Sequence, residues 1–442
     1  MKKITLFILM VLTVPLFGEV NFSGELKPEV IFNIPSEGEY DSLLNPGNIL
    51  GMKDVMFSNE IHFKLDQTSD SASLDLWLQI GQYPVAEMLT GTAAILSSPW
   101  AENDPEISAG LTAAVSDLAY LSGSYLYTAD LLRASASWLP ADNLRITAGR
   151  QSYLTGYGYG WNPVDLANPP KNPTDPQAYL RGVDGLTIQG DPFSWMGFKV
   201  YGLLGTEGYS LSYEELLAGG EFTFQFTALE FKLSGLYGGA EKDSDRIDLY
   251  PHAGAAALFF DLFGLGLYGE GVVRSRSRRN LPDPSGGSSI LKNDMIFSAL
   301  GGMEYYFNSG LVGAVEYFYN GEGYDQNERE DYAAALETLG AAINGDYYGL
   351  YTPQYFARHY ILLNLMIPWY AKDSSFNANL IYSPDSQVLF VTPTAVFNLN
   401  YEGTLVSELW YSGQFSLDDS RKNEAWLSPV KNSFLVNLRY YY

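Results

Sequence analysis

The chain has 442 residues, enough for two or three soluble domains or one large barrel, and it contains no cysteine. Disulfides, thiolate chemistry and a lipid anchor on an amino-terminal Cys are therefore excluded. A formal net charge of −25 argues against nucleic acid as a partner, since phosphate binding needs a basic footprint. With 33 Tyr, 24 Phe and 43 Gly but only 17% charged residues, the composition favours strands and turns over helices.

Met1-Lys2-Lys3 is basic and Ile4 to Phe17 is apolar, too short to span as a mature helix. Residues 1–18 are expected to be a secretory signal peptide cut after Gly18, leaving 19–442 as one domain. No later stretch offers eighteen uninterrupted apolar residues. The next segments alternate with period two. Phe22 to Phe32 is a first strand. Val55, Phe57, Ile61, Phe63 and Leu65 then stand opposite Met56, Ser58, Glu60, His62 and Lys64. Leu74, Leu76, Leu78 and Ile80 stand opposite Ser73, Asp75, Trp77 and Gln79 after a tight turn. An insertion follows at about 83–130, with candidate helices at Val85 to Leu96 and Ile107 to Leu121. Insertions this long are usually functional, and in a barrel one would fold inward and narrow the pore.

From Leu132 onward the same unit repeats: strand, short turn, strand, long polar loop. Short turns fall at Gly190-Asp191-Pro192, Phe226 to Glu230, Phe260 to Gly264, Phe307 to Gly310, Pro368 to Asp373 and Tyr401-Glu402-Gly403. Long loops alternate with them near 153–181, 205–218, 239–250, 275–293, 321–355 and 414–431. Only Ser383 to Gln387 is short where parity asks for length. The count is about 18 antiparallel strands (16–18), each near the nine to eleven residues a tilted membrane strand needs. An even number puts both termini beside the short turns. The fold class predicted is an all-β transmembrane barrel with periplasmic turns and long external loops.

Such a barrel faces lipid with its apolar parity and water with its polar one. The predicted lumen acids are Glu60, Asp75, Glu221, Glu270, Glu304, Glu316 and Glu408; the bases are Lys64, Arg133, Arg145, Lys199, Lys232, Arg274, Arg358 and Arg439. These charges would tune which solutes pass, pair across strands, or do both. Tyr305, Tyr306, Tyr317, Tyr319 and Tyr440 to Tyr442 are girdle candidates.

The most distinctive stretch is 149–185: Gly149-Arg150-Gln151, then Gly156-Tyr157-Gly158-Tyr159-Gly160-Trp161-Asn162-Pro163, Asp165, Asn168-Pro169-Pro170, and Arg181-Gly182. It resembles a loop of the alginate-export-like and related large porins, in which a Gly-Arg-Gln strand end precedes a Trp/Gly segment, an Asn-Pro-x-Asp turn and an Arg-Gly return. The likeness covers about 35 residues and carries no particular substrate. Arg150, Trp161, Asn162, Asp165 and Arg181 are the expected loop anchors, with pinning through carboxylates favoured over anion binding. The last strand, 432–442, ends on an aromatic residue and resembles the closing strand of outer-membrane barrels. That resemblance implies recognition by the barrel-assembly machinery.

The run Arg274 to Arg279 would either attract anionic lipid or solutes near the mouth or, as slightly favoured, be a solvated loop. Glu241 to Asp245 lacks the ligand order of a calcium loop. His62, His252 and His359 are far apart, and no hydrolase or metal-site motif occurs, so neither enzyme activity nor a cofactor is expected. The function expected is passive diffusion of small solutes across an outer membrane, with lipid around the barrel. Hydrophobic or specific sugar and organic-acid substrates are the alternative in transport, the former if Trp77, Tyr201, Tyr268, Leu362 and Phe390 formed a continuous apolar slide. A non-conducting surface protein with partner-binding loops is the alternative outside it.

Overall fold

A computed structural model describes residues 19–35, 40–48, 51–84, 125–175, 178–203, 217–238, 251–287, 290, 292, 294–340, 347, 349–369, 374–400, 402–418 and 423–442. The expected signal peptide, both candidate helices of the 83–130 insertion and the 241–245 acidic cluster lie outside the described residues.

Eighteen strands follow one another in sequence. They are β1 Glu19–Pro35, β2 Val55–Thr68, β3 Ala72–Pro84, β4 Tyr125–Ala141, β5 Leu144–Gln151 and β6 Val183–Phe193. Next come β7 Met196–Leu203, β8 Leu217–Gln225, β9 Leu229–Tyr237, β10 Ala253–Leu262, β11 Leu265–Arg274 and β12 Ile296–Tyr306. The last six are β13 Val312–Tyr319, β14 His359–Trp369, β15 Ser374–Ser383, β16 Val388–Asn398, β17 Leu405–Ser416 and β18 Val430–Tyr441. Each pairs antiparallel with its neighbour, and β1 pairs with β18. In that seam Val30 faces Val436 and Phe32 faces Phe434, while Gly24 and Tyr442 exchange backbone hydrogen bonds of 3.0 and 3.1 Å. Closure leaves no strand edge unpaired, which is what a sheet surrounded by hydrocarbon requires.

Loop parity sorts as expected. Short connections share one end of the barrel with both termini, and 384–387 is the short connection on the opposite end. Alternation also holds: Phe22, Phe57, Phe222, Phe297 and Leu438 are exposed on the outer face, whereas Ser58, Glu316, Thr392 and Asn437 are buried on the inner one. Aromatic rows mark the short-turn end outside. Phe193, Trp195, Phe224 and Phe231 stack in succession at 5.4 to 6.3 Å, and Tyr305 meets Phe307 at 4.7 Å. Tyr306 and Tyr441 share parity with inward Glu304 and Arg439, so these two girdle candidates belong to the inner face instead.

The pairing of β3 with β4 contains one irregularity. The register steps from Trp77↔Arg133 to Leu78↔Leu131, so Leu132 of β4 is an extra residue. Such a bulge reverses parity beyond it. The strand thereby exposes Tyr127, and the Leu132 carbonyl accepts the Gly182 N–H at 2.8 Å.

The 321–355 segment, expected to be a polar loop, folds into a helix. α1, Gln326–Leu339, starts at Asp325, which caps the Glu328 N–H while the Glu328 carboxylate accepts from the Asp325 N–H. This reciprocal capping box satisfies two of the donors a helix start leaves free. Its Tyr332, Ala335 and Leu336 pack on Tyr324, Tyr347 and Phe356, with Leu427 of the short helix α2, Glu424–Leu427, and Leu44 of the β1–β2 loop. Together they make a cap with its own core at the long-loop end. The short 384–387 connection is its seat: Asp385 takes the Arg358 N–H at 3.0 Å and pairs with Arg329 at 3.3 Å.

Candidate solute passage

The loop after β5, residues 152–182, first folds on itself. Asp165 accepts the Asn168 N–H at 3.0 Å and its side-chain amide at 2.8 Å, making a tight turn. Burial pushes the Asp165 carboxyl above its ordinary range, against the pull of the Asn168 and Ala167 hydrogen bonds. Asn162 donates to the Thr155 carbonyl at 3.0 Å, and Lys171 donates to the Gly158 carbonyl at 2.7 Å.

The Gly156–Trp161 run then enters the barrel with no strand to accept its N–H groups. Two wall glutamates take them. Glu270 of β11 accepts from the N–H groups of Tyr157 and, at 2.8 Å, Gly158. Glu316 of β13 accepts from those of Tyr159 and, at 2.9 Å, Gly160, together with the Tyr268 hydroxyl at 2.8 Å. Glycine is needed at 158, where a Cβ would strike the Trp161 carbonyl. Trp161 itself is fully buried. It stacks on Phe318 at 5.2 Å and donates to the Gln354 carbonyl at 3.1 Å, joining loop, wall and cap.

The loop goes on to cross the lumen. Near its start Thr155 reaches Glu221 of β8, and the Tyr157 hydroxyl donates to Glu230 of β9 at 2.7 Å. Near its end Thr174 accepts from Asn379 of β15 at 3.2 Å, and the Tyr179 hydroxyl donates to Glu25 of β1 at 3.1 Å. Tyr179 also meets Trp77 edge-on at 4.5 Å.

Between this loop and the wall formed by β15–β18 and β1–β3 lies a cavity of about 460 Å³. Lys27, Glu60, Glu408 and Arg439 line it from the wall, with Asn377, Thr394 and Trp410; Tyr159, Asp175 and Tyr179 line it from the loop. The wall charges are paired. Lys27 lies 2.6 Å from Glu29 and 3.7 Å from Glu60, and Arg439 lies 2.8 Å from Glu408 and 3.4 Å from Glu25. A second cavity of about 680 Å³ opens in the same sector at the long-loop end, among Asp41, Glu337, Gln414, Trp426 and Lys431.

The sequence-predicted residues scatter across these features. Glu60, Glu408 and Arg439 line the 460 Å³ cavity. Lys64 and Arg133 sit over the Trp77 ring at 3.9 and 5.3 Å, on the inner face with Asp75. Arg145, cross-strand to Gln189, and Glu304 also lie on inward parity, toward the short turns. Lys199 pairs with Glu221 at 3.9 Å, and Lys232 with Glu230 at 3.2 Å.

Four lumen candidates need correction. Glu270 and Glu316 are not open lumen charges, because the loop covers them and uses them as acceptors. Arg274 is buried as well, donating to the Pro163 carbonyl at 3.3 Å. Arg358 precedes β14 and binds Asp325 and Glu328 at 3.1 Å, so it belongs to the cap. The arginine run is likewise not solvated. Arg278 pairs with Glu322 at 2.7 Å, and Arg279 donates to the Tyr355 carbonyl at 2.8 Å, fastening cap to wall. Burial alone would raise the Glu322 carboxyl, but Arg278 and Arg274 hold it well below the usual range.

Arg150 makes two hydrogen bonds to Asp184, at 3.0 and 2.7 Å, and donates to the Leu131 carbonyl at 2.8 Å. Arg181 lies 3.4 Å from Asp130, a carboxylate that no sequence motif singles out. The five slide residues do not join. Tyr201 sits in one buried cluster, Tyr268, Leu362 and Phe390 in another, and Trp77 lies under Tyr179. The three histidines contact Glu60, the Gly238 N–H and the Tyr317 hydroxyl respectively.

Among solved structures, the chain aligns over 96% of its length with 96% of OccAB1 from Acinetobacter baumannii, at a TM-score of 0.53 and 9% identity. With OccK3 of Pseudomonas aeruginosa the coverage is again 96% of each chain, at a TM-score of 0.50 and 9% identity. The chain has the fold of a bacterial outer-membrane porin. At this identity the likeness concerns the fold alone. No protein-family model matches the sequence, and no curated protein does. Among the described residues, the 152–182 loop is the element that divides the lumen.

Proposed function

We propose that the protein is an outer-membrane channel through which small hydrophilic solutes diffuse passively. The carrying observation is the division of the lumen: the inner loop is fastened against one side and leaves a polar cavity of about 460 Å³ on the other. The 680 Å³ cleft above it, lined by the same strands β17 and β18, would be the outer vestibule. Glu60, Glu408 and Arg439 would then face passing solute, while Trp161, Asn162 and Asp165 hold the loop, and Arg150 and Arg181 secure its two ends. The outer aromatic rows suit contact with membrane lipid, and β18 would be the strand read by the assembly machinery. The separation of the five slide residues speaks against a continuous track for nonpolar substrates.

Single-channel recording in planar bilayers tests this reading. Steady, small, ohmic steps are expected from the purified protein. A correctly folded barrel, shown by heat-modifiable gel migration, that stayed electrically silent would refute it.

A further inference from the structure

The charges along the passage do not cancel. Among the described residues that line it, Lys27 and Arg439 are the two fixed cations, and each is shared between two carboxylates: Glu29 and Glu60 for the first, Glu408 and Glu25 for the second. Asp175 adds a further acid from the loop side. Beside Glu408, the Asn437 side chain donates to that carboxylate at 2.8 Å, while its own buried carbonyl oxygen receives no hydrogen bond. On the same wall His62 lies 3.2 Å from Glu60, and the Tyr83 hydroxyl donates to that carboxylate at 2.7 Å. In the vestibule above, Asp41, Glu337 and Lys431 are among the lining residues. Nearer the short turns, Asp66, Asp75 and Glu304 stand against Lys64, Arg133 and Arg145, so these residues add no positive belt.

Aromatic faces lie in the same place. Tyr159, Tyr179 and Trp410 line the cavity. Ring faces attract cations through their quadrupole, most strongly where water is scarce. Within this lumen Lys64 already lies 3.9 Å from the Trp77 ring centre, and Lys232 lies 4.5 Å from that of Tyr157.

We infer that the passage selects cations, admitting potassium and small protonated amines in preference to anions; this rests on the channel reading above. The surplus carboxylates lower the energy of a positive solute while it sheds water between loop and wall, and raise that of a negative one. The aromatic faces extend the preference from inorganic cations to alkylammonium groups.

The test is the zero-current potential of the full-length protein in neutral bilayers under a KCl gradient, repeated with ethylammonium chloride. The potential should carry the sign of cation selectivity in both salts. Glu60→Gln with Glu408→Gln should move it toward the unselective value, and Asp175→Asn, on the loop, should do so without touching the wall. An unselective or anion-selective wild-type channel overturns the inference while leaving the channel reading intact. So does a potential that neither variant moves. A silent barrel overturns both.

Discussion

The two sides of the barrel receive the same loop in opposite ways. Along β6–β14 the inward residues are largely apolar, with Leu203, Leu236, Val272, Leu300 and Leu362 among them, and the loop lies on them with Val164, Leu166 and Trp161. Along β15–β18 and β1–β3 the inward residues include Asn377, Thr394, Glu408, Arg439, Lys27 and Glu60; the loop reaches this side through Thr174 and Tyr179 and leaves the cavity between. Apolar surface gains by leaving water, at about 25 cal/mol per Å². Paired charges and amides lose hydration when covered. The constriction is thus placed by where the wall is greasy on its inner face, a feature with no role in facing lipid. Glu270 and Glu316 then fix the loop's height, because a Gly-Tyr run without a β partner must find acceptors somewhere.

The sharpest way to break this division is Glu316→Ala. It strips the Tyr159 and Gly160 N–H groups and the Tyr268 hydroxyl of their acceptor. Loop docking should weaken by roughly 3–5 kcal/mol, the range for removing one partner of a buried charged contact. Single-channel conductance should rise markedly, and unchanged steps would mean the loop is held elsewhere.

A smaller effect is expected from pH acting on the cap above the packed side. Burial raises the Glu424 carboxyl to about 7, despite hydrogen bonds from the Tyr360 hydroxyl and the Gln354 N–H and the nearness of Arg329, with Asp385 adding to the rise. A folded value above the unfolded one means the native cap holds the proton more tightly. Its stability is then full below the ordinary value of about 4.5, falls as pH rises, and is lowest above about 7. The whole span is worth about 3 kcal/mol at 1.36 kcal/mol per unit. The protection of α1 amides, taken relative to the base-catalysed intrinsic exchange rate, should fall from pH 5 to pH 8 in the wild type, and Glu424→Gln should flatten that fall. An equal trend in both proteins would assign it to another group.

The smallest effect belongs to the open side. Asn377→Ala removes a half-exposed amide from the passage wall and should change stability by under about 0.5 kcal/mol. Thermal gel-shift measurements should overlay those of the wild type. A large shift would show that this wall is packed after all.

The sequence by itself determined the closed sheet. Period-two alternation from Phe22 to Tyr442, the sorting of turns by length and the even strand count leave one arrangement in which lipid meets no open edge. These are local signals, read from neighbours one or two residues apart. It also marked 149–185 as unusual, through glycines, prolines and tryptophan crowded where a strand should run. The capping box of α1 is equally local, with Asp325 three residues before Glu328. The division of the lumen was not legible. Glu270 and Glu408 look alike along the chain, each an inward acid in an alternating strand, yet one lies beneath the loop and the other faces the passage. Their environments are set by a loop more than eighty residues away from β11 and more than two hundred from β17. Only the closure of the barrel brings it against one set of side chains and away from the other.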